Sequence, residues 1–201
     1  MADDAPARRG RPRDPTLEDR VFDAAIALYA EAGWAGFTFD AVARRSGVGK
    51  AGLYGRWQSR EALLRQTFET RWLAPAGIDT GSLRQDLIAL AAQVFAARAG
   101  AHARAASWMG MDAQAFPEMR GVLAPYTEAT IRQGRAIVRR AIAREEIPAS
   151  INPGLLMDLV VGAVSNHIAT TPERLRGAMM ARRDTFIEDL VTAALRGVGV
   201  G

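Results

Sequence analysis

The sequence predicts an all-α protein with a small N-terminal group of short helices and a larger C-terminal bundle of longer ones. Apolar residues recur at helical spacing along most of the 201 residues. No stretch between turn residues alternates β-branched or aromatic residues with polar ones, as a strand would. Gly and Pro stand at the ends of the periodic segments, where helices begin and end. These observations give no support to a sheet.

The composition excludes several kinds of active site. With 49% hydrophobic and 24% charged residues, the chain has the balance of an ordinary globular protein. It contains no cysteine, so disulfides, thiolate metal sites and cysteine nucleophiles are excluded. The two histidines, His102 and His167, do not have the spacing of a zinc motif. We therefore expect no catalytic residue, no metal and no cofactor.

The sequence contains no pattern for crossing a membrane. No apolar run approaches the roughly 18 residues that a span needs. Residues 1–10 carry no apolar stretch after their charges, so they do not have the pattern of a signal peptide. The expectation is a cytoplasmic protein without a membrane partner.

The N-terminal elements follow from caps and breakers. Residues 1–15 are polar and rich in Arg and Pro, which predicts a flexible basic arm. A first helix is predicted from the cap residue Thr16 to Gly33. Thr38 caps a second, short helix to about residue 45, and the turn 46–49 leads to a third at about 50–56. Ser59 caps a fourth, so residues 16–75 form a predicted domain.

The C-terminal elements are longer. Pro and Gly cluster over residues 75–81, and a second domain is predicted over residues 80–201. Ser82 followed by Gln85 has the pattern of a capping box and opens a helix to about residue 99. Further helices are predicted to about residue 112, over the long stretch from residue 117 to 145, from Asn152 to about 169, and over 184–195.

The two short helices around Gly47 have the pattern of a helix-turn-helix. Gly47 provides the turn, while Val48 and Leu53 are the predicted buried anchors. From position 44 to 60 the chain carries five cations and no carboxylate, namely Arg44, Arg45, Lys50, Arg56 and Arg60. Clustered cations of this kind neutralise the phosphates of nucleic acid. The window therefore indicates binding to double-stranded DNA.

The same region resembles the N-terminal domain of TetR-family bacterial transcriptional repressors. The resemblance covers about residues 16–70 and is carried by Phe22-Asp23-Ala24-Ala25, Leu28-Tyr29-Ala30-Glu31-Ala32-Gly33, Thr38, Val42-Ala43, Ser46-Gly47-Val48, Lys50, Leu53-Tyr54 and Ser59-Arg60-Glu61-Ala62-Leu63-Leu64. It implies a homodimeric, ligand-released repressor that binds a palindromic operator. It further implies that Thr38, Lys50, Tyr54 and Arg60 hold phosphates, and that Gly49, Lys50, Ala51, Gly52, Gly55 and Arg56 face the bases.

Three glycines depart from the family pattern. Gly49 stands where the family commonly has Ser, Gly52 where Thr is frequent, and Gly55 where an aromatic residue is common. Each Gly lowers helix propensity by about 1 kcal/mol, so we expect DNA to order part of the recognition helix. Base readout then depends mainly on Arg56 and Lys50, since Arg and Lys bind guanine edges.

Two other motifs have competing interpretations. Residues 47–52 have the form GxGxxG, but no strand precedes them and no parallel sheet is available for a dinucleotide fold. Arg9, Arg11 and Arg13 in the arm have the core pattern of an AT-hook, which places Arg side chains in the minor groove. The alternative for the arm is a solvated basic tail that adds nonspecific affinity.

The C-terminal half carries candidate ligand-binding and dimer residues. The candidates for a pocket that takes a small hydrophobic effector are Trp108, Met111, Phe116, Tyr126, Met157, Asn166 and His167. The alternative for each is ordinary core packing. The candidates for a homodimer interface, which the resemblance implies, are Leu156, Val160, Val164, Phe186, Leu190 and Val191, and these could equally be intramolecular core.

The sequence thus predicts a DNA-binding transcriptional regulator. An enzyme is the first rival class, and neither a nucleophile–base pair nor a metal-ligand spacing supports it. A helical sensor or scaffold with weak or lost sequence-specific DNA binding is the second rival, because the recognition helix is rich in glycine.

Overall fold

The computed structural model describes residues 16–72 and 77–199, and within these ranges it contains helices and no strand. The predicted all-α fold is therefore confirmed. The α-helices are α1 Leu17–Gly36, α2 Phe39–Ser46, α3 Lys50–Tyr54, α4 Arg60–Arg71, α5 Leu83–Ala99, α6 Ala103–Ala115, α7 Pro117–Ala143, α8 Pro153–Met157, α9 Ala163–Thr170, α10 Arg176–Ala181 and α11 Arg183–Gly197. A π-helical segment, Asp158–Gly162, joins α8 to α9, and a 3₁₀ turn, Glu173–Leu175, precedes α10.

Helix α1 continues beyond its predicted end. Gly33 has a φ of +59° and leaves the helical conformation, but one more turn follows as far as Gly36. Thr16 precedes the helix without a side-chain capping hydrogen bond. The other caps form as predicted, because Thr38 and Ser59 accept hydrogen bonds from the backbone N–H groups of Ala41 and Ala62 at 3.2 Å each.

Helix α3 is shorter than the predicted helix at 50–56. It ends at Tyr54, and Gly55 is the residue that follows it. Glycine lowers helix propensity, and two of the positions between 52 and 55 are glycine. The recognition element is thus little more than one turn of helix.

Two hydrophobic cores organise the chain. The first core joins α1–α4 and also includes Ala105, Met119, Val122 and Leu123 from α6 and α7. The second core lies within the C-terminal helices and includes Leu87, Phe95 and Val160. The first core therefore crosses the predicted boundary between the two domains.

The connection before α5 is held by buried charge. The Asp86 carboxylate is fully buried and accepts hydrogen bonds from the N–H and hydroxyl of Thr80 at 2.7 and 2.6 Å. Its second oxygen lies 3.6 Å from Arg140 and 3.7 Å from Arg144. Burial would raise the pKa of this carboxyl, but the Thr80 hydrogen bonds and the two guanidinium charges outweigh it and lower the pKa.

Helix α7 spans 27 residues and contains Pro125. A proline inside a helix removes one backbone hydrogen bond. None of the helices in the described ranges is both long enough and apolar enough to cross a membrane.

Candidate nucleic-acid interface and internal cavity

The turn between α2 and α3 has the geometry that the motif requires. Gly47 follows α2 in the left-handed conformation, with a φ of +70°. An extended Gly49 then precedes α3. Val42, Val48 and Leu53 are buried and anchor the two helices against α1. The chain can therefore present the outer side of α3 to solvent.

The residues of that outer side are exposed. Gly49, Lys50, Ala51, Tyr54, Gly55 and Arg56 are exposed, as is Thr38, and Gly52 is half-buried. The ring of Tyr54 is 60% exposed and packs edge-on against Phe39, with ring centroids 4.7 Å apart. The structure thus brings the predicted DNA-binding residues of α3 together on one accessible surface.

Carboxylates on α1 and α2 pair with several of these cations. Lys50 Nζ lies 2.7 Å from Asp40 Oδ2. Arg45 donates two hydrogen bonds to Glu31, at 2.5 and 2.8 Å.

The hydrogen bonds from Arg45 lower the pKa of the Glu31 carboxyl. The charge window read from the sequence missed these acids, because they lie before position 44. Exposed ion pairs contribute at most about 1 kcal/mol, so phosphates can replace the carboxylates.

Arg60, which is predicted to hold a phosphate, is half-buried and has partners on α1 and α7. Its guanidinium lies 3.8 Å from the centroid of the Trp34 ring and donates a hydrogen bond to the Phe37 carbonyl at 3.1 Å. It also lies 3.7 Å from Glu118 Oε1 on α7. These contacts hold the guanidinium between α1, α4 and α7, and the phosphate role of Arg60 stays a prediction.

Trp34 is the centre of a junction between α1 and the helices α6 and α7. Its backbone N–H donates to the buried Asp112 at 2.9 Å, and its indole N–H donates to Glu118 at 2.9 Å. The ring is fully buried and stacks on Phe37. Sequence reasoning missed this junction, because its partners lie 78 and 84 residues further along the chain.

A cavity of about 630 Å³ opens between α5, α6 and α7, close to the end of α4. Its lining is mostly apolar. The residues that line it are Trp72, Val94, Ala97, Arg98, Ala106, Met109, Gly110, Ala113, Arg120, Leu123, Ala124, Tyr126, Thr127, Glu128, Thr130 and Val161. This size lies within the range of small-molecule sites, about 300–1,000 Å³.

The predicted pocket residues are mostly elsewhere. Tyr126 lines the cavity, whereas Trp108, Met111, Phe116, Met157, Asn166 and His167 do not. The Trp108 ring packs against Gly33, and Met111 is 61% exposed. His167 stacks on Phe186 at 4.0 Å, beside a shallow groove. Size and polarity alone do not predict in which direction a helix points its side chains.

The dimer candidates also need correction. Leu156, Val160, Val164 and Val191 are fully buried within the single chain, so their side chains are not available to a second copy. Phe186 and Leu190 are half-buried and line the shallow groove between α9 and α11, together with Asn166 and His167. The arm residues Arg9, Arg11 and Arg13 lie outside the described residues.

A helix-turn-helix with an exposed cationic side, packed on a larger helical domain, defines a DNA-binding regulator. Two family models match the chain: "Bacterial regulatory proteins, tetR family" over residues 21–67, and "Tetracyclin repressor-like, C-terminal domain" over residues 78–194. The chain belongs to the TetR family of transcriptional regulators. The members of this family are regulators and not enzymes.

Individual relatives agree with this assignment. The HTH-type transcriptional regulator YdeS of Bacillus subtilis is 25% identical over 197 residues, which are 96% of this chain and 94% of YdeS. The TetR-family regulator SCO0332 has a crystal structure that matches with a TM-score of 0.59 and 27% identity, over 91% of this chain and 98% of its own. FadR from Bacillus subtilis, solved with stearoyl-CoA, matches with a TM-score of 0.64 and 16% identity, over 91% and 98% of the two chains.

Proposed function

We propose that this chain is a repressor that binds a palindromic operator as a homodimer and is released from it by a small hydrophobic effector. The exposed cationic side of α3 is the observation that carries the proposal. FadR of Bacillus subtilis was solved with stearoyl-CoA, so one protein of this fold binds a small molecule. The cavity between α5 and α7 is the proposed site of the effector in this chain.

In the proposed complex each subunit inserts α3 into a major groove. Two-fold symmetry then places the recognition helices about 34–36 Å apart or somewhat more. Lys50, Thr38 and Tyr54 hold phosphates in this complex, and the packing of the Tyr54 ring on Phe39 positions its hydroxyl. Arg56 supplies the main base contact, because Gly52 and Gly55 carry no side chain that could donate to a base.

The proposed dimer uses the groove between α9 and α11. Its lining includes the small residues Ala163 and Ala193, which allow helices to approach closely, and the half-buried Phe186 and Leu190. A two-fold axis would set the same groove of both subunits face to face. Leu190→Arg should therefore shift the protein from dimer to monomer in analytical ultracentrifugation. Ile131→Arg, at an exposed position of α7, is the control and should leave the mass unchanged.

Helix α6 is the proposed connection between effector and DNA. Met109 and Ala113 line the cavity, while Trp108 and Asp112 on the same helix contact α1 at Gly33 and Trp34. A ligand that binds better to a displaced α6 would therefore move α1 and the helices packed on it. Differential affinity for the two arrangements is what a ligand needs in order to release DNA.

Selection of bound sequences from a random DNA pool, followed by titration of the selected sequence at several salt concentrations, tests the proposal. A dimeric regulator should select an inverted repeat and should discriminate it from random DNA at raised salt. A scaffold without specific DNA binding would enrich no repeat. Transcription in vitro from a promoter that contains the repeat then distinguishes repression from activation.

A further inference from the structure

The body of the cavity is apolar. Trp72, Val94, Met109, Leu123 and Val161 form its main hydrophobic surface, with several alanines between them. Burial of apolar ligand surface against such walls is favourable by roughly 25 cal/mol per Å². The cavity therefore suits a molecule whose larger part is hydrocarbon or aromatic.

The hydroxyl groups of the lining are already engaged with the protein. Tyr126 donates to the Arg65 carbonyl at 3.1 Å, and Thr130 donates to the Tyr126 carbonyl at 3.0 Å. The hydroxyl of Thr127 donates to the Leu123 carbonyl at 3.4 Å. Burial, together with the charge of Glu69, raises the pKa of the Tyr126 phenol, which therefore stays neutral. These hydroxyls have no proton left to donate, so an acceptor group of a ligand must find its donor elsewhere.

Charged residues of the lining differ in their partners. Glu128 lies 3.5 Å from Arg132, and Arg120 donates to the Ala113 carbonyl at 3.2 Å. Arg98, on α5, lines the cavity and remains exposed to solvent, which places it at the rim. Among residues 16–72 and 77–199 it has neither a hydrogen-bond acceptor nor a carboxylate partner.

From these contacts we infer that the effector is an amphipathic anion, with an apolar body inside the cavity and one carboxylate- or sulfonate-type group bound to Arg98 at the rim. The inference rests on the proposed function, since it names the chemical class of the effector of the same site. A guanidinium binds such anions through paired, charge-assisted hydrogen bonds. A neutral hydrocarbon of the same shape would not make these hydrogen bonds.

A matched pair of fluorescent probes tests the inference. 8-Anilino-1-naphthalenesulfonate and N-phenyl-1-naphthylamine share one apolar skeleton and differ in the sulfonate. The full-length protein should bind the sulfonate about three- to tenfold more tightly, as a partly exposed charge-assisted pair would give. Arg98→Met should remove this preference and leave the affinity for the neutral probe unchanged. Arg139→Met, at an exposed position of α7 outside the lining, should retain the preference.

A third variant tests whether the two probes bind in the cavity. Ala106→Leu adds bulk to the cavity wall and should weaken both probes, whereas probe binding unaffected by it would place the probes elsewhere and overturn the inference. Equal loss of both probes in Arg98→Met, or no loss of either, would also overturn it. Each probe is then titrated against the protein bound to its selected operator. An Arg98-dependent preference without release of DNA would contradict the proposed function and leave the anion site standing.

Discussion

The two hydrophobic cores differ in what they connect. The second core holds the C-terminal helices to one another, whereas the first core holds the DNA-binding helices and also takes in buried side chains of α6 and α7. The helix-turn-helix unit is thus packed on the domain that contains the cavity. A rearrangement of α6 or α7 has to change the packing of α1 and α4, and this is the physical basis for coupling two sites.

Trp34→Ala should have the largest effect, because it removes the fully buried ring at the junction of the first core. We expect a loss of about 3–5 kcal/mol in the free energy of unfolding, the usual cost of truncating a buried aromatic residue. Urea denaturation followed by circular dichroism measures it. Leu87→Ala, in the second core, is the matched control.

The two variants should differ in how strongly they reduce the release of DNA by the effector, and this difference compares the two cores. Leu87→Ala should reduce stability and leave the coupling between cavity and operator intact in the protein that remains folded. Trp34→Ala should also weaken that coupling. An equal loss of coupling in both variants would refute the claim that the first core connects the cavity to the DNA-binding helices.

Gly33→Ala should cost more than Gly47→Ala. Both glycines have a positive φ, but their ψ angles differ. Gly47, with φ +70° and ψ +15°, is in the left-handed region, which costs an alanine about 1–2 kcal/mol. Gly33, with φ +59° and ψ −163°, is in a region that essentially only glycine adopts, so the backbone strain of an alanine is larger there. A Cβ on Gly33 would also lie 2.8 Å from the Trp108 ring, whereas a Cβ on Gly47 meets nothing within 4 Å. The difference between the urea midpoints of the two variants measures this added strain together with the contact between α1 and α6, and equal midpoints would contradict it.

Asp86→Asn tests how much the buried carboxylate of Asp86 stabilises the connection before α5. The pKa of Asp86 is lower in the folded protein than in the unfolded chain. Its stabilisation is therefore complete above the unfolded pKa of about 3.9 and is lost as the pH falls through the lower folded value. We expect the variant to be about 1–3 kcal/mol less stable at pH 7 and to lose less stability on acidification. Parallel pH profiles for variant and wild type would contradict this.

Lys50→Ala should have the smallest effect on folding, because its ion pair with Asp40 is exposed on both sides. It should weaken binding to all DNA sequences and lower the slope of log affinity against log salt by about one unit. Fluorescence anisotropy with labelled operator measures the slope. Arg139→Ala serves as a control for a lost positive charge, and an unchanged slope would remove Lys50 from the phosphate contacts.

The helix-turn-helix could be predicted because its determinants are local. Thr38, Gly47 and Ser59 act on residues within a few positions of themselves, and caps and turns have recognisable residue types. The exposed residues of α3 could be predicted for the same reason, because nearby residues fix which side of this helix is buried. The contacts of Arg60 with Trp34 and Glu118 could not be predicted, because these partners are distant in sequence.

A ligand pocket in the C-terminal half could be predicted from the sequence, but most of the residues that line it could not. Arg98 gives no signal in the sequence, since it is one of many arginines in the chain. Leu156 and Val160 were assigned to a dimer face, yet they lie in the second core. Apolar periodicity tells that a helix has a buried face, but not whether the same chain or a second copy covers it.

The π-helical turn at Asp158–Gly162 contains one residue more than an α-helical turn would need. Deleting one residue there would let an unbroken α-helix run from α8 into α9. Because the wide turn absorbs the extra residue, the later side chains of α9 would keep their directions, and His167 would stay on the ring of Phe186. A deletion inside α9 before His167 has no such turn to absorb it and would rotate the following side chains by about 100° around the helix axis. Among natural variants of this chain, single-residue gaps should therefore be more frequent in this turn than within α9.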